Sequence, residues 1–270
     1  LTRCAWAVSS RIWRAAAYVQ IDWSLYGAII NAGAYTAVDK AQTPEGRTAA
    51  WKANAQGPAL LAKTAIEYNL TLVHISSDYV FDGATEVHDE DEAFAPLGVY
   101  GQTKAAGDIA VAMAPKHYIL RSSWVIGDGH NFVKTMIALS DRVANPDEAL
   151  EQVTVVDDQI GRLTFTQDMA RAIFFLLDRE APYGTYDLTS SGNSVSWAAI
   201  AREVFAQANG NGQAVKPIST KEYFANATAP VSPRPTYSTL DLAKIEETGF
   251  EPSDWRDELH AYVAAARRGE

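Results

Sequence analysis

The chain has 270 residues, which allows one large domain or one domain with a smaller lobe. Its 23 basic and 33 acidic residues give a formal net charge of −10, and this acidity argues against a nucleic-acid-binding surface. The single cysteine, Cys4, excludes an intrachain disulfide and a cysteine-based zinc cluster. No apolar run reaches the roughly 18 residues of a membrane span, and the N-terminus lacks the pattern of a signal peptide. We therefore expect a globular cytoplasmic protein.

The predicted elements alternate along the chain. Residues 1–20 hold three arginines and two tryptophans but no acidic residue, and only 12–18 there is compatible with a helix. Beyond this atypical segment, the apolar patterns predict strands at 26–31, 70–75, 117–121 and 153–156, and helices at 44–68, 100–114, 130–143 and 166–177. This order predicts an α/β fold in which helices cover both faces of a parallel sheet.

The composition of the sequence changes near residue 180, where glycines and prolines begin to separate shorter elements. We predict a main domain over 21–180 and a smaller, mainly substrate-binding lobe over 181–270, with an approximate boundary because segments interleave. The acidic run Glu86–Glu92 is typical of a solvated loop.

Polar clusters follow three of the predicted strands: Asn31–Tyr35, Ser76–Tyr79 and Ser122–Trp124. In open parallel sheets, ligands bind outside the carboxyl ends of the strands. The sequence therefore predicts a binding site where these clusters meet.

Tyr100 and Lys104 are four residues apart and share one face of a predicted helix. A lysine ammonium near a phenol favours the phenolate and lowers the tyrosine pKa from its usual value near 10. The pair is therefore suited to proton transfer, and the Ser77 hydroxyl at the neighbouring strand end is placed to bind the same carbonyl oxygen.

The serine followed by Tyr-x-x-x-Lys resembles the extended branch of the short-chain dehydrogenase/reductase superfamily. Longer motifs narrow the resemblance to the dTDP-4-dehydrorhamnose reductase family, and the similarity runs from about Ile21 to the C-terminus. The motifs are at 31–41, 73–83, 96–104, 120–125, 131–136 and 155–161. The sequence of residues 161–166 also resembles the corresponding segment of actinobacterial chains in which the reductase follows an epimerase domain.

The resemblance implies a Rossmann-like fold and an activity in nucleotide-sugar and cell-surface polysaccharide biosynthesis. The implied reaction is the reduction of the C4 keto group of dTDP-4-dehydro-6-deoxy-L-mannose to dTDP-L-rhamnose, with NADPH or NADH as cofactor. Tyr100 is then the proton donor, Lys104 lowers its pKa and holds the nicotinamide ribose, and Ser77 orients the carbonyl.

The resemblance also implies two sets of binding residues. The cofactor set is Ala32, Gly33, Ala34, Tyr35, Asn54, Ile75 and Lys104. The substrate set is Ser77, Asp78, Tyr100, Trp124 and Arg234. Arg234 either pairs with the nucleotide diphosphate or is a structural arginine in a proline-rich turn. The five histidines show no metal-ligand spacing, and we expect no metal.

The sequence departs from the family at its start. It has no Gly-x-x-Gly-x-x-Gly loop, whose backbone amides would approach the cofactor pyrophosphate. We therefore predict that the first βαβ portion is missing or replaced, that strands near the sheet centre are absent, and that the pyrophosphate half of the cofactor site is damaged.

Three alternatives stay open. The chain is another nucleotide-sugar epimerase or dehydratase of the extended family, a non-catalytic subunit similar to the methionine adenosyltransferase regulatory chain, or a remnant without function. Expected partners are the dTDP-linked keto-sugar and either a second copy or a fused or associated epimerase domain, with no nucleic acid and no membrane.

Overall fold

The computed structural model describes residues 21–269, so the predicted helical segment at 12–18 lies outside the described residues. The strands are β1 Ala28–Asn31, β2 Thr71–Ser77, β3 His117–Ser122, β4 Val125–Ile126, β5 Val153–Val156, β6 Ile160–Gly161, β7 Thr164–Phe165, β8 Gly184–Asp187, β9 Val195–Ser196 and β10 Val215–Ile218. The helices are α1 Pro44–Trp51, α2 Gly57–Tyr68, α3 Val99–Val111, α4 Phe132–Ala144, α5 Thr166–Asp178, α6 Trp197–Asn209, α7 Thr220–Tyr223, α8 Ala243–Glu247 and α9 Trp255–Arg268.

The main sheet is parallel and has four strands in the order β1-β2-β3-β8. Side chains alternate between its two faces, as the pleat requires. Leu72 and Ile119 pack with residues of α2 and α3, whereas Val73 and Leu120 pack with residues of α5 on the opposite face. The predicted α/β fold with helices on both faces is confirmed.

Strand β1 lies at one end of this sheet. Within residues 21–269 it pairs with β2 alone, and its other edge has no strand partner. The prediction that strands near the sheet centre are absent concerns residues before 21, which lie outside the described part of the chain.

A second core belongs to the smaller lobe. Helices α4, α6 and α9 pack there against β5 and β10, and its buried residues include Met136, Val155, Phe205 and Leu259. The lobe thus includes α4 and β5, which precede residue 180, while β8 follows that residue and returns to the main sheet. The two halves interleave, and 180 is not a clean boundary.

The acidic run at 86–92 was predicted to be a solvated loop, and this prediction is wrong at His88. His88 is 1% exposed and stacks on Phe81 with ring centroids 4.8 Å apart. Its backbone N–H donates to the Thr239 carbonyl at 2.9 Å, and its carbonyl accepts from the Asp241 N–H at 2.8 Å. The run is therefore anchored to the C-terminal segment by a buried histidine.

No helix in the described part of the chain is long and apolar enough to cross a membrane.

Candidate active site

Parallel pairing brings the polar strand ends together. Asn31 is in register with His74, and Ser77 is in register with Ser122. The N-terminal end of α3, which carries Tyr100, lies beside the end of β2. A Cβ on Gly101 would lie 2.1 Å from the Tyr79 carbonyl oxygen, so only glycine allows this close approach.

Lys104 is almost completely buried, with 2% of its surface exposed. Its Nζ donates a hydrogen bond to the Ile75 carbonyl at 2.6 Å. An ammonium has three N–H bonds, and the structure of residues 21–269 gives the other two no acceptor. Burial lowers the pKa of Lys104 to about 8, an effect that the nearby Asp108 carboxylate opposes.

The predicted lowering of the Tyr100 pKa is not observed. Burial raises the pKa of Tyr100 to about 12; the Ser77 hydroxyl opposes this rise, and the Asp78 and Asp108 carboxylates add to it. Removal of the phenol from water and the neighbouring negative charges therefore outweigh any effect of the Lys104 ammonium. Tyr100 stays protonated at neutral pH, which is the state that a proton donor needs.

Ser77 and Asp78, at the end of β2, lie beside Tyr100 of α3 in this site. The Ser77 hydroxyl donates to Asp78 Oδ1 at 3.0 Å and accepts from the Tyr79 N–H at 3.2 Å. Asp78 Oδ2 is buried and has no hydrogen-bond partner in the described residues. Burial raises the pKa of Asp78 to about 6. The Ser238 and Ser77 hydroxyls oppose this rise.

Trp124 follows β3 in a left-handed backbone conformation, with φ of 49°. Such a φ is costly for a bulky residue and often marks a functional site. Its ring stacks on Trp197 with centroids 3.8 Å apart. The Cβ that Gly161 lacks would come within about 3 Å of the Trp124 ring, so this glycine makes room for it.

The predicted cofactor loop is exposed at Ala32, Gly33 and Ala34 and is held at Tyr35 by Asn54. Asn54 is 1% exposed and lies in a π-helical turn, Lys52–Gln56, that interrupts the predicted helix 44–68. Such turns frequently occur at functional sites.

Arg234 has a structural partner. Its Nη2 donates to Asp39 Oδ2 at 2.8 Å and its Nη1 donates to the Ser232 carbonyl at 2.8 Å. The guanidinium also opposes the rise that burial causes in the pKa of Tyr79. Arg234 thus joins the C-terminal segment to the region after the cofactor loop and lies close to the Tyr79–Tyr100 pair.

Comparisons with known proteins decide the family. A family model described as the RmlD substrate binding domain matches residues 14–268. The dTDP-4-dehydrorhamnose reductase of Aggregatibacter actinomycetemcomitans is 36% identical over 245 residues, which cover 86% of this chain and 78% of that protein. The chain belongs to the dTDP-4-dehydrorhamnose reductase family. The match begins seven residues before the start expected from the motifs, at 14 instead of 21.

Solved structures support the assignment to this reductase family. The reductase of Clostridium acetobutylicum superposes with a TM-score of 0.79 at 37% identity, covering 89% of this chain and 81% of that one. The reductase of Bacillus anthracis, solved in complex with NADP, superposes with a TM-score of 0.77 at 35% identity, covering 88% and 80%.

The family implies a nicotinamide cofactor, and the described residues match one end of it. Lys104, whose Nζ has one hydrogen-bond acceptor in the described residues, and the exposed loop 32–34 would hold the nicotinamide ribose. The pyrophosphate end differs, because residues 21–269 contain no glycine-rich loop at a helix start.

Sequence reasoning missed a buried polar group behind this reductase-family site. His74 is buried, binds Asn31 and lies near Asp108, which pairs with Arg121. The one signal in the sequence was the position of Asp108, four residues after Lys104. No cluster of three or more His, Cys, Asp or Glu suited to a metal occurs between residues 21 and 269.

Proposed function

We propose that this chain reduces the C4 keto group of dTDP-4-dehydro-6-deoxy-L-mannose and forms dTDP-L-rhamnose, with NADPH as reductant. The observation that carries the proposal is the convergence of Ser77, Tyr100 and buried Lys104 at the carboxyl end of β2. The relatives named as dTDP-4-dehydrorhamnose reductases support the choice of substrate.

The side chains divide the work around the carbonyl oxygen. The Ser77 hydroxyl turns from Asp78 to the substrate oxygen and, with the Tyr100 hydroxyl, fixes its position. When bound, the reduced nicotinamide supplies the hydride for the carbonyl carbon. Tyr100 gives its proton to the oxygen, and the Lys104 ammonium stabilises the phenolate that remains.

The substrate is held on the other side of the carbonyl. The free Asp78 Oδ2 accepts a hydrogen bond from a sugar hydroxyl, and the Trp124 ring lies against the sugar or base. Arg234 contributes positive charge near the nucleotide diphosphate while keeping its bond to Asp39. The exposed loop 32–34 and Tyr35 lie along the cofactor, and Asn54 fixes that loop.

The reaction is proposed to take place in the cytoplasm, where NADPH and nucleotide sugars occur together. Assembly as a homodimer, or with a fused or associated epimerase domain, stays a prediction. A non-catalytic role is the second candidate, and the turnover assay distinguishes it from the reductase activity.

The test is a turnover assay with the whole chain. We expect NADPH oxidation that depends on the keto-sugar, and a product two mass units heavier than the substrate. Tyr100→Phe should abolish this oxidation while keeping the fold. Absence of turnover at millimolar NADPH in a folded wild-type chain would support the non-catalytic role instead.

A further inference from the structure

A buried ion pair lies one helical turn behind Lys104. Asp108 follows Lys104 by four residues on α3, and both side chains are almost fully buried. Arg121 Nε, from β3, donates to Asp108 Oδ2 at 3.1 Å. Arg121 is further held by a bond to the Glu90 carbonyl and by the rings of Phe81 and Phe94 on either side. The carboxylate therefore has a fixed position on the face of the helix that carries Lys104.

His74 lies near the other oxygen of Asp108. The Gly33 N–H donates to Asn31 Oδ1 at 3.3 Å, so the Asn31 amide nitrogen faces His74 Nδ1, 2.9 Å away. Nδ1 is then an acceptor, and the ring proton of a neutral histidine lies on Nε2. Nε2 is 3.8 Å from Asp108 Oδ1, which is too long for a hydrogen bond, and neither atom has a hydrogen-bond partner in the described chain. The bond from Arg121 is therefore the contact that fixes the Asp108 carboxylate.

The charges around Lys104 explain why this arrangement matters. A buried ammonium loses its proton unless a negative charge stabilises it. Tyr100, on the same helix as Lys104, is neutral and supplies no negative charge. His74 lies on β2, and burial together with the Lys104 charge keeps the pKa of His74 well below 6.5. Burial raises the pKa of Asp108, but the Arg121 and Lys104 charges oppose this rise, and the Asp108 carboxylate in turn raises the pKa of Lys104.

Other acids of the described residues do not act on the Lys104 ammonium. The Asp78 charge acts on Tyr100, and Glu90 Oε1 accepts a hydrogen bond from the Asp187 backbone N–H. Asp187 is fully buried, and burial together with Glu90 raises its pKa well above the usual value. Within residues 21–269, Asp108 is therefore the carboxylate whose charge raises the pKa of Lys104.

We propose that Asp108 is a positioning residue for Lys104: held by Arg121, its carboxylate keeps the buried ammonium charged and bonded to the Ile75 carbonyl at the end of β2. The inference rests on the proposed function in one respect, namely that Lys104 stabilises the Tyr100 phenolate during catalysis. Its effect on the charge of Lys104 is a property of the protein alone and is measurable without turnover.

The primary test is a pH titration of Lys104 in the whole chain, labelled with ¹³C at lysine Cε and followed by NMR. The Lys104 signal is the one that Lys104→Met removes. We expect a midpoint near 8 in the wild type. In Asp108→Asn the midpoint should fall by about one pH unit or more, as expected for loss of a charge one helical turn away. An unchanged midpoint would overturn the proposal.

Two variants separate the charge of Asp108 from its structural contacts. Asp108→Glu keeps the charge and should hold the midpoint near that of the wild type. Asp187→Asn replaces another buried carboxyl group near Arg121, and because Asp187 does not act on the pKa of Lys104, the Lys104 midpoint should not move. If Asp187→Asn lowers the midpoint as much as Asp108→Asn, the effect is general disruption and the proposal is wrong.

Asp108→Asn leaves Arg121 buried without a carboxylate, which threatens folding. The double variant Asp108→Asn/Arg121→Met removes both charges and serves as the substitute. Loss of the Arg121 charge alone favours the ammonium, so the reference is the single variant Arg121→Met. The midpoint of the double variant should lie below that of Arg121→Met, and equal midpoints would contradict the proposal.

Kinetics give the second readout. The alkaline limit of kcat should move to lower pH in Asp108→Asn by the same amount as the NMR midpoint, with less change in KM for the keto-sugar. If the wild type shows no turnover, the proposed function fails, while the NMR midpoints still decide whether Asp108 controls Lys104.

Discussion

Tyr35 and Asn54 exchange two hydrogen bonds: the Tyr35 N–H donates to Asn54 Oδ1 at 2.8 Å, and Asn54 Nδ2 donates to the Tyr35 carbonyl at 3.1 Å. The same Nδ2 reaches the Thr103 hydroxyl at 3.1 Å. Thr103 immediately precedes Lys104. One buried amide therefore connects the exposed loop that starts at Ala32 with the helix that carries the ammonium.

Asn54→Ala should weaken NADPH binding about tenfold and lower the melting temperature. The variant leaves the Tyr35 backbone N–H and carbonyl without partners, and each such buried group costs about 1–3 kcal/mol. Calorimetric titration with NADPH and a thermal melt measure the two effects. Lys52→Ala, an exposed position in the same π turn, is the control and should change neither. Equal affinities for Asn54→Ala and Lys52→Ala would remove the loop from the cofactor site.

Tyr100→Phe should lower kcat by about 10²–10⁴, the usual contribution of a general acid, and leave NADPH affinity unchanged. Tyr79→Phe is the matched control, because its ring packs edge-on against Tyr100 at 5.6 Å while its hydroxyl has no assigned task. We expect Tyr79→Phe to keep wild-type kcat.

Since the Tyr100 pKa is about 12, the alkaline limit of wild-type activity should follow Lys104 and lie near pH 8. A limit that persists near pH 8 after Lys104→Arg would contradict this assignment.

Gly161→Ala should raise KM for the keto-sugar about five- to tenfold with little change in kcat. The new methyl group would lie 3.0 Å from the Trp124 ring and 3.1 Å from the Ser238 side chain, so the ring must move, and overpacking of this kind costs about 1–3 kcal/mol. Steady-state kinetics measure the change. Gly129→Ala, with nothing within 4 Å of the added carbon, should behave as wild type. If the two variants have the same KM, Trp124 does not contact the substrate.

Asp78→Asn should stabilise the fold at pH 7 more than at pH 4. Burial raises the native pKa of Asp78 to about 6, above the unfolded value of about 3.9, so the native state retains a proton that the unfolded chain releases. Wild-type stability therefore falls as pH rises from about 4 to 6, and asparagine removes this penalty, which is on the order of 2–3 kcal/mol.

Urea unfolding of wild type and Asp78→Asn at both pH values measures the difference. The exposed Asp178→Asn variant is the control and should show no such pH dependence. If Asp78→Asn stabilises equally at pH 4 and pH 7, the Asp78 carboxyl does not titrate as described. Asp78→Asn should also raise KM, because we propose that the Asp78 carboxyl binds a sugar hydroxyl of the substrate.

The alternation of apolar runs and helical periods was enough to predict the order of β1, β2 and β3 and the helices between them, because both patterns are local. The π turn at Lys52–Gln56 was not predictable. It depends on the contact with α3, where the Cβ that Gly107 lacks would lie 2.2 Å from the Asn54 carbonyl oxygen. Contacts between distant segments also explain why β8 joins the main sheet while α4 belongs to the lobe.

Some features of the candidate active site were also predictable from local sequence, and others were not. Tyr100, Lys104 and Ser77 were predictable because motif spacing places them on one helix and one strand end. The pKa of Tyr100 was not, since it depends on burial and on Asp78 and Asp108 together. The bond between Arg234 and Asp39 joins residues 195 positions apart, and nothing local in either segment signals it.

The most direct measurement is deuterium transfer. The whole chain is incubated with dTDP-4-dehydro-6-deoxy-L-mannose and NADPH deuterated at the transferred position of the nicotinamide, at millimolar concentration so that a weakened pyrophosphate site does not limit binding. We predict dTDP-L-rhamnose with deuterium at C4, and none from Tyr100→Phe. Unchanged keto-sugar from a folded wild-type chain, or deuterium at any other carbon, would contradict the assignment of Ser77, Tyr100 and Lys104 to C4 reduction.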